Sequence, residues 1–265
     1  MKIYEIINEE DSCTVGFLLY YEKEKNYITE LVGDLDEWNA PLLFSNLVKQ
    51  GIYTVPRDLS LLWVKERIIP PTRQNISAIL ANHKLNEYDE IKFLEISEGR
   101  CSQDSLRIKK MKEIPDLVRK RQEKNLACVF PTGENRLLCF FADDTVKRVD
   151  LNKLMSEDGV EKVIKNRELF LSATLGSGGC YVTFNDSIDV PARCLYSYGE
   201  DLGVKRADFL DFLRWNVLDT KDVCNLLSCS RQNVSYLTKQ KDLSPVKENV
   251  MGNLYLKEDV LRTGW

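Results

Sequence analysis

Apolar and polar residues follow one another along this chain with changing rhythm. Thr14-Val15-Gly16-Phe17-Leu18-Leu19-Tyr20-Tyr21 and Tyr27-Ile28-Thr29-Glu30-Leu31-Val32 are β-rich runs. The polar stretch Glu22-Lys23-Glu24-Lys25-Asn26 between them reads as a hairpin connection. Apolar residues then recur at helical spacing, first Leu42, Leu43, Leu47 and Val48, then Leu59, Leu62 and Trp63. Pro70-Pro71 breaks the chain, Thr72 is placed to cap a helix carrying Ile76, Ile79 and Leu80, and a further helix is expected from Tyr88 to Ile96. Residues 1–106 read as a small α+β or mainly helical unit in which no chemistry is evident.

Residues 107–124 change character. Eight basic residues (Arg107, Lys109, Lys110, Lys112, Arg119, Lys120, Arg121, Lys124) face three acidic ones, and Pro115 interrupts the run. This segment is expected to be a basic linker, either a solvated helix or an extra phosphate-contacting surface. A strand-rich segment follows at 125–201. Leu137 to Phe141 and Thr145 to Val149 form the arms of a hairpin around Asp143-Asp144, and the second arm alternates apolar and charged positions. A short helical stretch runs through Leu151, Leu154, Val160, Val163 and Ile164. Two more strands, Leu169 to Ala173 and Cys180 to Phe184, are joined by Gly176-Ser177-Gly178-Gly179.

The last segment, 202–265, carries a pattern with a mechanism. Thr220 is placed to cap a short helix with Val223, Leu226 and Leu227 on one face, and Asp222 suits the positive end of its dipole. The turn Ser228-Cys229-Ser230 leads into a second helix from Arg231 to about Lys239, with Ser230 as its cap. Val234 and Leu237 point at the first helix. Arg231, Gln232, Ser235, Tyr236 and Lys239 remain on the outer side. Two short helices, a tight turn and a polar, basic outer face are what insertion into a DNA major groove requires.

Composition sharpens this picture. Among 265 residues, 37 Lys and Arg oppose 41 Asp and Glu, for a net charge of −4, and the hydrophobic share of 43% is that of an ordinary folded protein. The charge is uneven: residues 1–120 and 121–201 each carry −3, whereas 202–265 carry +2. No run of about 18 apolar residues exists to span a bilayer, and the N-terminus Met1-Lys2-Ile3-Tyr4-Glu5 lacks the apolar stretch of a signal peptide, so a cytoplasmic location is expected. The eight cysteines include no C-x-x-C pair and read as reduced, mostly core residues.

The same counts weigh against catalysis. A single imidazole, His83, removes every multi-His metal site and sits near the end of a predicted helix, where the dipole favours it. Gly176-Ser177-Gly178-Gly179 matches neither a phosphate loop nor a nucleophile elbow. Asp143 and Asp144 read as turn formers, and Cys101, after Arg100, is the one thiol in a setting that favours a lowered pKa. No enzyme activity, cofactor or metal is expected.

Two resemblances add to these readings. The order LLCFFADDTVKRVDL (137–151), ELF (168–170) and YVTFNDSIDVPARCLY (181–196) resembles the bacterial domain-of-unknown-function-2442 family over roughly 70 residues. That resemblance implies no defined activity; some members of the family are encoded beside putative toxins. The C-terminal 46 residues resemble the winged helix-turn-helix of excisionases and MerR-like regulators. Thr220, Ser230-Arg231-Gln232, Leu243, Pro245-Val246, Gly252 and Glu258-Asp259-Val260 fall in that family's order. Dimerisation through a long helix of the MerR kind is not expected.

The expected fold is therefore α+β and multidomain: a small N-terminal unit (1–106), a strand-rich middle domain (125–201) and a C-terminal winged helix-turn-helix (202–265). The expected partner is double-stranded DNA. Arg231 would read guanine, and Gln232 or Asn233 adenine. Ser230, Ser235, Tyr236, Lys239 and Lys241 would contact phosphates, with Lys247 and Asn253 as wing contacts. The expected function is a sequence-specific transcriptional regulator that acts as a homodimer, with an antitoxin-like, autoregulatory role and a toxin-like protein partner as one form of it. The alternative is a protein-interaction adaptor whose helix-turn-helix does not touch DNA.

Overall fold

A strand whose neighbours cover both of its faces must be apolar on both, and the first three strands obey this rule. A computed structural model describes residues 1–248, 252–256 and 260. The architecture is α+β, with antiparallel sheets. The chain forms two compact units, Met1–Ala142 with Val149–Gly199, and Asp143–Arg148 with Glu200–Trp265.

The first unit opens with β1 (Lys2–Asn8), β2 (Thr14–Tyr21) and β3 (Asn26–Leu31), followed by β4 (Thr54–Val55) and β5 (Leu106–Met111), in the sheet order β4-β3-β2-β1-β5. The expected hairpin at residues 22–26 joins β2 to β3, with Tyr20 opposite Tyr27 and their rings stacked at 4.8 Å. On one face Tyr4, Ile6, Leu18 and Tyr27 pack with Phe44 and Val48, with Trp63 and Val64 of α2 (Arg57–Lys65), and with Ile91 and Leu94 of α4 (Glu90–Ile96). On the other face Ile3, Phe17, Leu19, Tyr21 and Ile28 pack with Val118, Cys180 and Tyr181. Val48 belongs to α1 (Ser45–Lys49). The short α3 (Ile76–Asn82) buries no residue. Its cap position is Asn75, not Thr72, because Pro70 to Arg73 is already closed as a turn by the Arg73 amide. His83 takes the C-cap position of this helix.

Residues 107–124 are not a linker. Leu106 and Ile108 alternate with basic residues, a pattern suited to an edge strand, and β5 pairs along β1 with Ile108 opposite Ile6. Pro115 then starts α5 (Asp116–Gln122), whose Val118 is fully buried. The basic side chains serve local pairs: Arg107 with Glu9 at 3.2 Å, Lys110 with Glu95 at 3.2 Å and Arg121 with Glu30 at 2.8 Å.

The remainder of this unit contains β6 (Leu126–Pro131), paired to β7 (Arg136–Phe141), and the three-stranded sheet β11-β10-β9. The expected strand at Leu169–Ala173 is a helix instead. Asn166 accepts the amides of Glu168 and Leu169 and so nucleates α7 (Arg167–Leu171) directly after α6 (Val160–Lys165). Only Ala173–Leu175 is extended, as β9. Gly176 to Gly179 join β9 to β10 (Tyr181–Phe184), as the hairpin reading requires, and β11 (Ile188–Pro191) leads into α8 (Ala192–Tyr198). Gly178 and Gly179 have φ of +59° and +70°, and a Cβ there would lie 2.1 Å from the Tyr21 hydroxyl and 2.0 Å from the Leu126 carbonyl oxygen. Residues 1–142 and 149–199 thus fall in one compact unit, without the boundary expected between residues 106 and 125.

Glu30 sits on the β3 face that α5 covers and is only 2% exposed. Burial raises its pKa above the usual glutamate value, opposed by the hydrogen bonds from Arg121 and Thr54. Arg121→Ala leaves this carboxylate buried without its cation and is expected to cost about 3–5 kcal/mol in denaturant unfolding. The variant raises the Glu30 pKa further, so its deficit relative to the parent should shrink as the pH falls and Glu30 takes up a proton. A deficit independent of pH between neutrality and pH 4.5 contradicts this account.

Candidate nucleic-acid interface

A short helix holds a fixed pose only if its ends are satisfied and one stripe of it is buried. In the second unit, Lys147 and Arg148 of β8 (Val146–Asp150) pair with β12 (Glu200–Asp201), and Arg148 bonds Glu200 at 2.9 Å. The Asp143 carboxylate accepts from the Thr145 amide and hydroxyl, which makes Asp143-Asp144 the turn the sequence predicted. Next come α9 (Arg206–Asn216) and β13 (Val217–Leu218), and then α10 (Thr220–Leu227) and α11 (Arg231–Gln240).

The cap of α10 is Asp219, one residue before the expected Thr220. Its carboxylate accepts the Asp222 amide at 2.8 Å, while Asp222 accepts the Asp219 amide in return. A carboxylate at the positive end of the helix serves this role better than a hydroxyl. Ser228 ends α10 in the left-handed region, at φ 50°, and the Cys229 amide returns to the Cys224 carbonyl. Ser230 then caps α11 by accepting the Asn233 amide at 3.3 Å. Val223, Val234, Leu243, Tyr255 and Val260 form the core, with Cys224, Leu227 and Leu237 packed against it. Leu226, expected on the buried face, is 41% exposed, because that face is centred between Val223, Cys224 and Leu227.

Beyond α11 the chain reverses at Lys241, in the left-handed region, and Lys247 forms an antiparallel bridge with Leu254. Strand β14 (Tyr255–Leu256) pairs with β13, placing Leu218 opposite Tyr255. The buried Tyr255 hydroxyl lies 3.1 Å from that of Thr238, so this strand is tied back to α11. Glu258 and Asp259 of the expected closing helix lie outside the described residues; Val260 is helical and buried.

The predicted contact residues separate into groups. Arg231, Gln232, Ser235, Tyr236 and Lys239 are all exposed, and the helical period sets them on one side of α11, opposite Val234 and Leu237. Asn233 is exposed at the margin of that face. Lys241 and Lys247 are exposed beyond the helix. Ser230 is exposed, but its oxygen is engaged as the cap. Asn253 departs from the expected wing contact: it is half-buried and its side-chain amide donates to the Tyr255 hydroxyl at 3.2 Å. That amide braces the strand. Among the described residues no group of His, Cys, Asp and Glu could hold a metal ion, and no helix is long and apolar enough to cross a membrane.

Comparison with protein-family models, with curated proteins and with solved structures gave no match.

Ser230→Ala removes the cap of α11 and is expected to cost about 1 kcal/mol, with Ser230→Asp restoring the loss. Thermal unfolding followed by far-ultraviolet circular dichroism measures both.

Proposed function

We propose that the chain is a sequence-specific DNA-binding transcriptional regulator and that α11 is its reading helix. One observation carries this reading. A helix fixed by its cap and by Val234 presents Arg231, Gln232, Ser235, Tyr236 and Lys239 together to solvent, and no acidic side chain lies within α11. An exposed guanidinium next to an exposed carboxamide matches the acceptor pair of guanine and the donor–acceptor pair of adenine. Lys239, Lys241 and Lys247 suit phosphates, which need charge and not fixed geometry. The turn between α10 and α11 is tight enough for α10 to cross the backbone while α11 enters the groove. The order of helices, turn and strands also agrees with the resemblance to excisionases and MerR-like regulators.

The test is a gel shift with a fragment from upstream of the protein's own gene, repeated over a salt series. Arg231→Ala is expected to lose about 1–3 kcal/mol and to relax the preference at one base pair. Lys239→Ala is expected to weaken binding to all sequences alike and to lower the salt slope by about one. Absence of binding at low salt, or an Arg231→Ala protein with unchanged sequence preference, overturns the reading in favour of a protein-interaction adaptor.

A further inference from the structure

The first unit holds two cavities that adjoin one another, and their rims carry opposite charge. The larger, about 330 Å³, lies against α2, β3 and the β10–β11 hairpin. Ile28, Val55, Pro56, Tyr181 and Ile188 supply the apolar part of its lining. Of its two cations, the half-buried Arg57 is already offset, donating to Asp186 at 2.6 Å and pairing with Asp189 at 2.7 Å, while Arg193 stands where this cavity meets the smaller one. Asp58 lies 4.0 Å from Arg57, and Glu157 and Asp158 remain on the rim and give that end a negative field.

The smaller cavity, about 220 Å³, is lined by Arg121, Lys124 and Arg193 and by no acidic side chain. Glu30 offsets Arg121 from behind, while Lys124, 5.3 Å from the Tyr196 ring, and Arg193 are exposed. The two cavities share Thr54, Cys180, Pro191 and Arg193. Burial pushes the Cys180 thiol up to about 12, so of the shared residues Arg193 alone carries charge, at the junction with the smaller cavity.

We infer that this double cavity binds a small zwitterion of the dipeptide kind, its ammonium group and an apolar side chain in the larger cavity and its carboxylate in the smaller. The lining fits each part of such a molecule. The carboxylate meets Lys124 and Arg193, the ammonium meets Glu157 and Asp158, and an aliphatic side chain meets Ile28, Val55 and Tyr181. A ligand charged at one end only leaves the opposite rim unused. The inference does not depend on the DNA-binding reading, since every residue it uses lies in the other unit.

The experiment is isothermal titration of the full chain with Leu-Gly, with N-acetyl-Leu-Gly and with Leu-Gly amide. Leu-Gly is expected to bind, and each blocked form to bind at least about tenfold more weakly, the loss of one charge-assisted contact. Lys124→Gln with Arg193→Gln is expected to weaken Leu-Gly but not its amide. Glu157→Gln with Asp158→Asn is expected to weaken Leu-Gly but not the acetylated form. Circular dichroism of both variants establishes that they fold. No binding of Leu-Gly at millimolar concentration, or equal affinity for free and blocked forms, overturns the inference.

Discussion

Glu30 projects from the middle of β3 into a layer made of Ile28, Phe17 and Val118, where a carboxylate is tolerated only beside a cation. Arg121 supplies it, Thr54 adds a hydrogen bond at 2.8 Å, and the guanidinium also lies 5.6 Å from the Tyr53 ring. This requirement fixes α5 over the sheet. The chain then enters β6 from a helix already docked, so the strand-rich segment grows against the same sheet. Val118, Cys180 and Tyr181 complete the layer. A second guanidinium, Arg57, repeats the arrangement by joining the start of α2 to Asp186 and Asp189 around β11. Two guanidinium groups, each paired with carboxylates far away in sequence, thus accompany an apolar interface and set its register.

Local signals were readable wherever a single stretch of chain decided the outcome. The β2–β3 hairpin, the turn at Asp143-Asp144, the glycine connection before β10 and the cap of α11 all follow from neighbouring residues. Errors arose where two local signals competed. The apolar run Leu169 to Ala173 suggested a strand, but Asn166 captured two amides first and a helix resulted. Residues 107–124 looked like a solvated linker because their charges are visible in the sequence, whereas their acidic partners, Glu9, Glu95 and Glu30, come from other elements. The double cavity was illegible for the same reason. Its lining comes from residues 54–58, 121–125, 157–158, 180–181 and 187–193, none of which forms a motif by itself.

Among the described residues of the second unit, five buried side chains form the centre of its helical part, and the caps at Asp219 and Ser230 define where α10 and α11 begin. Side chains that are not needed for packing are thereby left outward on α11, which is why the candidate contact residues could be named from the sequence. Asn253 shows the limit of that reasoning: polarity alone does not separate a side chain that faces solvent from one that braces a tyrosine.

The cysteines give the first unit a built-in record of its own integrity. Cys139 lies in the core under β7 and Cys180 in the layer between the first sheet and β10, and burial raises both thiols to about 12. Cys13, by contrast, is exposed. A thiol-directed reagent therefore meets Cys13 at once, but reaches the fully buried Cys139 only when its core opens. Cys139 thus acts as a clock for the loosening of that core, without any label having to be introduced.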